Sequence, residues 1–231
     1  KNLTPSAIEE SVQAMVKGLA QAQILAIPGG FSGGDEPDGS GKFIIAFFNN
    51  PRIAEQITAL LYQRDGLALG ICNGFQALIK LGLVPFGELR PMEKNSPTLT
   101  FNKIGRHQSV PVRLKVVSVK SPWMQYAQAG EVYTVPVSHG EGQFVANEET
   151  LANLAANGQI ATVYVDEKGD PTMKMPHNPN GSVMAIEGIT SPDGRVLGKM
   201  AHDERCGEGL LKNIGGNMSI QLFKSGVDYF K

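Results

Sequence analysis

Apolar residues set the first half of the chain. Ile8, Val12, Met15, Val16 and Leu19 recur at helical spacing behind Thr4-Pro5, which predicts a helix over residues 5–21 with Thr4 as its N-cap and proline in its first turn. QILAI, residues 23–27, is a short apolar run that stops at Pro28-Gly29-Gly30, the pattern of a buried parallel strand ending at a turn. A glycine-rich acidic loop, FSGGDEPDGSGKF, follows at 31–43. Asn50-Pro51 opens a second helix carrying Ile53, Ile57, Leu60 and Leu61, and LALGI, 67–71, is a second buried strand that ends at Cys72. Phe75, Leu78, Ile79 and Leu81 then keep helical spacing until Gly82, a predicted C-cap. Strand, helix, strand, helix implies right-handed crossovers and a parallel sheet covered on both faces.

The second half changes period. Segments 110–119, 132–138, 159–165, 182–190 and 195–200 are rich in β-branched residues and bounded by Gly, Pro and Asn, and SPDGR, 191–195, is a hairpin turn. A helix near 217–229 closes the chain. The predicted fold class is α/β, an open, mostly parallel central sheet flanked by helices with an added antiparallel region, in one domain spanning 1–231.

Composition narrows the partners. With 231 residues, 42% hydrophobic and a formal net charge of −1, the chain buries a sizeable core and lacks the basic balance of a non-specific nucleic-acid binder. No apolar run reaches the ~20 residues of a membrane helix. The two cysteines, Cys72 and Cys206, have neither Cys-x-x-Cys nor zinc-ligand spacing, which favours a reducing, cytoplasmic setting. Asn180-Gly181-Ser182 and Asn217-Met218-Ser219 match the glycosylation triplet but are read as idle in such a compartment.

Gly70-Ile71-Cys72-Asn73-Gly74 has the Gly-x-Cys-x-Gly form between a strand and a helix, the thiol counterpart of a nucleophile elbow. The sharp turn pushes the side chain into a crevice, and the flanking glycines let neighbouring backbone approach. The helix behind it offers free N–H groups and a positive dipole end, which favour thiolate and lower its pKa from ~8.5 into the range ~3.5 to 7.5. The N–H of Asn73 is a natural oxyanion donor, and the amides of Pro28-Gly29-Gly30, at the neighbouring strand's end, supply a second. The competing reading is a buried core thiol.

A base separates the two readings. Of His107, His139, His177 and His202, the first has Arg106 beside it and reads as a surface residue, and His177 lies in turn chemistry. SHGEG pairs His139 with Glu141, and AHDER pairs His202 with Glu204. In extended backbone, residues two apart point the same way, so either glutamate orients its histidine. Chain position leans to His202, which follows the apolar strand RVLGKM to a strand end. Two further signals fail. GSGKF, 39–43, lacks the first glycine and the Ser or Thr of a phosphate loop, and His202 with Cys206 has no further ligand pair for a metal.

Taken in order, IPGGFSGGDEPDGSGKF, LALGICNGFQALIKLGLVP, SHGEGQF, NPNGSVMAIEGI and GRVLGKMAHDER resemble the class I (triad) glutaminase domain of phosphoribosylformylglycinamidine synthase, in its large fused form. The resemblance covers nearly the whole chain and implies a flavodoxin-like glutamine amidotransferase fold. It matches Cys72 to the nucleophile, His202 to the base and Glu204 to the residue that orients it. Gly30 and Asn73 match the oxyanion-hole backbone, and Gln76, Ser138 and His139 match positions lining the glutamine pocket. Ala201 and Asp203 stand where many relatives have proline, and Gln143 where arginine is common, which touches local stiffness and a domain contact.

The same resemblance implies that glutamine is the substrate, that ammonia passes to a synthetase domain of the same or a longer chain, and that ATP and Mg are bound by that partner, with no cofactor here. It also implies that the chain is the C-terminal part of a longer polypeptide, lacking its first strand and helix. The rival readings are a cysteine hydrolase or peptidase of similar fold, and a catalytically silent interaction module.

Overall fold

The computed structural model describes residues 4–30, 41–207, 209–210 and 212–231. Helix α1 (Pro5–Gln21) starts where predicted, with the Thr4 hydroxyl accepting the N–H of Ala7 at 3.2 Å. It leads into strand β1 (Ile24–Ile27). A short helix α2 (Lys42–Phe48) follows Gly41 and precedes α3 (Pro51–Tyr62), whose Ile53, Ile57, Leu60 and Leu61 are fully buried. Strand β2 (Leu67–Ile71) is buried along its whole length, and α4 (Asn73–Lys80) springs directly from it. Gly82, at φ 82°, stops that helix by adopting the left-handed region, and one further turn, α5 (Leu83–Phe86), ends the half.

The β-rich half contributes β3 (Thr98–Phe101), β4 (Gln108–Val116), β5 (Val132–His139), β6 (Glu141–Val145), α6 (Glu148–Ala156), β7 (Ile160–Tyr164), β8 (Ile186–Thr190), β9 (Val196–Lys199) and α7 (Leu222–Asp228). Seven strands form one open sheet in the order β1-β2-β9-β8-β7-β4-β5, and β3 pairs with β6 in a small antiparallel sheet. This is the expected α/β class, a mixed sheet flanked by helices. Within it the parallel part is smaller than the apolar runs suggested: β1, β2 and β9 run parallel, and the other four pairings of the large sheet are antiparallel. The cause is the Ser191–Gly194 turn, where the N–H of Gly194 bonds the Ser191 carbonyl at 3.0 Å, so that β9 reverses β8 and then aligns with β2.

The closing helix begins at Leu222 rather than 217, and the segment read as a strand from 182 is irregular until Ile186. Helices α2, α5 and α6 and strands β3 and β6 were not anticipated. They are four to nine residues long, too short for periodicity to register. Residues 31–40, most of the predicted acidic loop, lie outside the described residues. Among the described residues no helix is long and apolar enough to cross a membrane. Asn180, in one of the two glycosylation triplets, is fully buried.

One consequence of this topology positions the site. Ile71 is in register with Lys199, and the N–H of Cys72 bonds the Lys199 carbonyl at 2.8 Å. The chain therefore leaves β2 at Cys72 and β9 at Met200 side by side, at the carboxyl ends of two parallel strands.

Candidate active site

Cys72 occupies the N-cap position of α4 with φ 53° and ψ −107°, backbone that L-residues rarely adopt and that costs on the order of 1–3 kcal/mol. The glycines around it are explained by what a side chain would meet. A Cβ on Gly70 would lie 2.5 Å from Leu78 Cδ1 and 2.7 Å from the carbonyl of Gly74, and one on Gly74 would lie 2.0 Å from the carbonyl oxygen of Ile27. The tight strand-to-helix turn exists only because both positions are bare. Gly29 is bare for another reason: its Cβ would meet His202 Cε1 at 2.6 Å and Cys72 Cβ at 3.2 Å. Nucleophile candidate, base candidate and the Pro28-Gly29-Gly30 turn thus meet at one point.

The backbone groups of Asn73 and Gly30 both act on the Cys72 thiol, where they favour thiolate. On the other side, the thiol faces the Ser138 carbonyl at 3.7 Å. His202 is 1% exposed, its N–H bonds the Pro136 carbonyl at 2.9 Å, and its Nδ1 lies 2.5 Å from Glu204 Oε1. Among the described residues its Nε2 is buried with no hydrogen-bond partner. Hydrogen bonds from His202 and from backbone, with the charges of His202 and Arg205, hold the Glu204 carboxyl below its usual range although burial works against this.

His139, the rival histidine, is equally buried but differently partnered. Its Nδ1 lies 3.1 Å from Asn102 Oδ1, and among the described residues its Nε2 is buried with no partner. Burial, with the nearby His107 and His202, pushes its pKa down to about 4, so it stays neutral near pH 7. An amide fixes a tautomer without stabilising imidazolium, which a carboxylate does. Gln76 is buried on α4 and donates from Nε2 to the Glu141 carbonyl at 2.5 Å, tying the helix to β6. The Ser138 hydroxyl lies 3.0 Å from His107 Nε2, so His107, read from sequence as a surface residue, stands beside the pocket positions. Gln143 bonds the Gly181 carbonyl at 3.1 Å.

One electrostatic expectation is corrected. Burial pushes the Cys72 thiol up to about 11, although the N–H groups of Asn73 and Gly30 and the charge of Arg205 pull the other way. The dipole end of a two-turn helix does not outweigh a side chain 6% exposed. The resting sulfur is therefore a neutral thiol, beside the imidazole of His202. Among the described residues no cluster of three or more His, Cys, Asp or Glu is placed to hold a metal ion.

Sequence reasoning missed the groups that hold this arrangement. Asn102 anchors His139, and Glu187 bonds the N–H of Ala201, the residue before His202, at 2.6 Å. Lys199 is fully buried in a strand whose other residues are apolar, a charge in an apolar run that was the available signal.

Known proteins resemble this chain over most of its length. The CobB/CobQ-like glutamine amidotransferase domain matches residues 4–230. The phosphoribosylformylglycinamidine synthase subunit PurQ of Moorella thermoacetica is 38% identical over 209 residues, 90% of this chain and 78% of that protein. Its counterpart from Synechococcus elongatus is 37% identical over 198 residues, 86% of this chain and 77% of that protein. A chain in the structure of PurLQS from Thermotoga maritima superposes with a TM-score of 0.65 at 28% identity, covering 90% of this chain and 80% of that one. With a strained cysteine at a strand-to-helix turn, a carboxylate-bound histidine beside it, and a match running from residue 4 to 230, this chain belongs to the CobB/CobQ-like glutamine amidotransferase domain family.

Proposed function

We propose that this chain is the glutaminase component of phosphoribosylformylglycinamidine synthase, which releases ammonia from glutamine for the ATP-dependent conversion of formylglycinamide ribonucleotide to its amidine in purine biosynthesis. The observation that carries the chemistry is the convergence of two backbone amides, Asn73 and Gly30, on the sulfur of Cys72, with the His202–Glu204 pair against the same residue.

In this mechanism the Cys72 thiol gives its proton to His202 Nε2 as the sulfur attacks the side-chain carboxamide carbon of glutamine. The amides of Asn73 and Gly30 hold the oxyanion; loss of one such donor typically costs ~10²-fold in rate. The imidazolium returns the proton to nitrogen, ammonia leaves, and a thioester remains. Water, deprotonated by His202, then attacks the thioester, and glutamate departs as the thiol is regenerated. Glu204 keeps the proton of neutral His202 on Nδ1 and offsets the imidazolium charge. Gln76, Ser138 and His139 line the glutamine pocket.

The partner in this proposal is a synthetase domain that binds ATP and Mg and receives the ammonia, in the cytoplasm. The finer reading, a large fused enzyme of which this chain is the C-terminal piece, is supported by the order of motifs from IPGGFSGG to AHDER, and the residues encoded ahead of Lys1 test it. The glutaminase reading itself is tested by treating the complete enzyme with a glutamine-analogue chloroketone and measuring ammonia release. An adduct on Cys72, and loss of release in Cys72→Ser and His202→Ala, are the expected results. An unmodified Cys72, or a Cys72→Ser enzyme that releases ammonia like the parent, overturns it.

A further inference from the structure

Behind His202 lies a set of buried charged side chains with no part in the chemistry above. Lys199 is fully buried, and its Nζ donates to the Asp203 carboxylate and, at 3.0 Å, to the hydroxyl of Tyr133 on β5. Glu187, on β8 and 1% exposed, accepts the N–H of Ala201 at 2.6 Å on one carboxylate oxygen and the Thr162 hydroxyl on the other. Burial opposes the lysine's charge, but the Asp203 and Glu187 carboxylates outweigh it and hold Lys199 protonated. Every anchor acts on one six-residue segment, 199–204. Ala201 and Asp203, the neighbours of His202, are the two held by side chains from outside the turn or across it.

Stability does not explain such a set. Two buried ions and a buried carboxylate are expensive to desolvate, and apolar residues of similar size usually serve a core as well or better. The benefit is geometric: with Ala201 and Asp203 both pinned, the backbone at His202 has no freedom to swing its ring away from Cys72. Neither flanking residue restricts its own backbone as proline does. A misplacement of about 1 Å at a reacting group costs on the order of 10²-fold in rate.

We propose that the buried Lys199–Asp203 pair, with Tyr133 and Glu187, is a positioning network that fixes the His202–Glu204 turn against Cys72. The inference rests on His202 being the base. None of these side chains is among the proposed glutamine-pocket positions Gln76, Ser138 and His139, so their removal is read in kcat and not in KM.

The test compares ammonia release by the complete enzyme carrying Lys199→Met with Asp203→Asn, which removes both charges of the pair at once and leaves Glu187 its hydrogen bonds from Ala201 and Thr162. The expected result is a kcat at least tenfold lower, glutamine KM within twofold of the parent, and melting temperature within a few degrees. Leu154→Ala, a cavity under α6, is the structural control and is expected to lower the melting temperature with kcat unchanged. A double variant with the parent's kcat overturns the proposal. Where the double variant does not fold, Tyr133→Phe decides, since it removes one hydroxyl from Lys199; a threefold or greater fall in kcat at constant KM supports the network, and an unchanged kcat overturns it. His202→Ala is measured alongside. Full activity there refutes the assignment of the base, whereas an inactive His202→Ala with a fully active double variant refutes only the network.

Discussion

Alkylation of Cys72 as a function of pH separates a resting thiol from a preformed thiolate. Burial raises this group from 9.0 to about 11. At pH 8 the thiolate fraction is then ~0.1%, against ~10% for an unshifted cysteine, a hundredfold deficit equivalent to about 2.7 kcal/mol at 1.36 kcal/mol per unit. The protein without glutamine is treated with iodoacetamide between pH 6 and 10, and the Cys72 peptide is followed by mass spectrometry. The slope is diagnostic, because restricted access to a buried sulfur scales the rate equally at every pH. A tenfold rise per pH unit across the range is expected, as only thiolate reacts. A plateau beginning below pH 8 refutes the reasoning and shows an ion pair with His202 already formed. Linkage gives a second readout. Between pH 9 and 11 the unfolded chain loses this proton while the folded one keeps it, so the contribution is intact below pH 9 and declines as pH rises through 11.

Four substitutions follow from the same geometry. Glu204→Gln keeps a hydrogen bond to Nδ1 but not the charge, and ammonia-release kinetics should show kcat falling by ~10²-fold or more with glutamine KM little changed. His139→Ala should raise KM and leave thioester turnover intact, the reverse of His202→Ala, and pre-steady-state kinetics with glutamine distinguish the two. Gly74→Ala places a methyl 2.0 Å from the Ile27 carbonyl oxygen, so thermal unfolding should show a loss of about 3 kcal/mol or more together with loss of activity. Asn102→Ala removes both the amide on His139 Nδ1 and the donor to the His139 carbonyl at 2.8 Å, and calorimetry should report a cost of about 1–3 kcal/mol.

The elements that the sequence made legible are those where local and tertiary signals agree. Thr4-Pro5 and Asn50-Pro51 cap helices whose buried faces repeat over three turns or more, and LALGI is apolar at every position because it is covered on both faces. The Gly-x-Cys-x-Gly turn was legible for a related reason, since each glycine answers a specific close approach. Strand direction was less so: an apolar run such as IATVY reads alike in parallel and antiparallel pairing, and only the hairpin at 191–195 sets the sense of β9. The residues around the two candidate histidines were illegible because their partners are distant in sequence. Asn102 reaches His139 across 37 positions, and Glu187 reaches Ala201 across 14, spacings to which no periodicity responds.

The state of the sulfur and the state of the two histidines point to one account of how the site works. Buried polar groups normally find partners, and an unmet one costs about 1–3 kcal/mol. Among the described residues, Nε2 of His202 and Nε2 of His139 are both buried without a partner, His202 in contact range of the Gly29–Cys72 junction and His139 next to Ser138, whose carbonyl faces the thiol. At the same place the backbone amides of Asn73 and Gly30 bear on a neutral sulfur, a poor acceptor. In the proposed mechanism these groups complement a carboxamide passing to its oxyanion: the oxygen takes the two amides, and the departing nitrogen engages the His202 imidazole. On that mechanism the groups are best complemented at the tetrahedral intermediate, which is the condition for lowering the barrier rather than merely holding substrate.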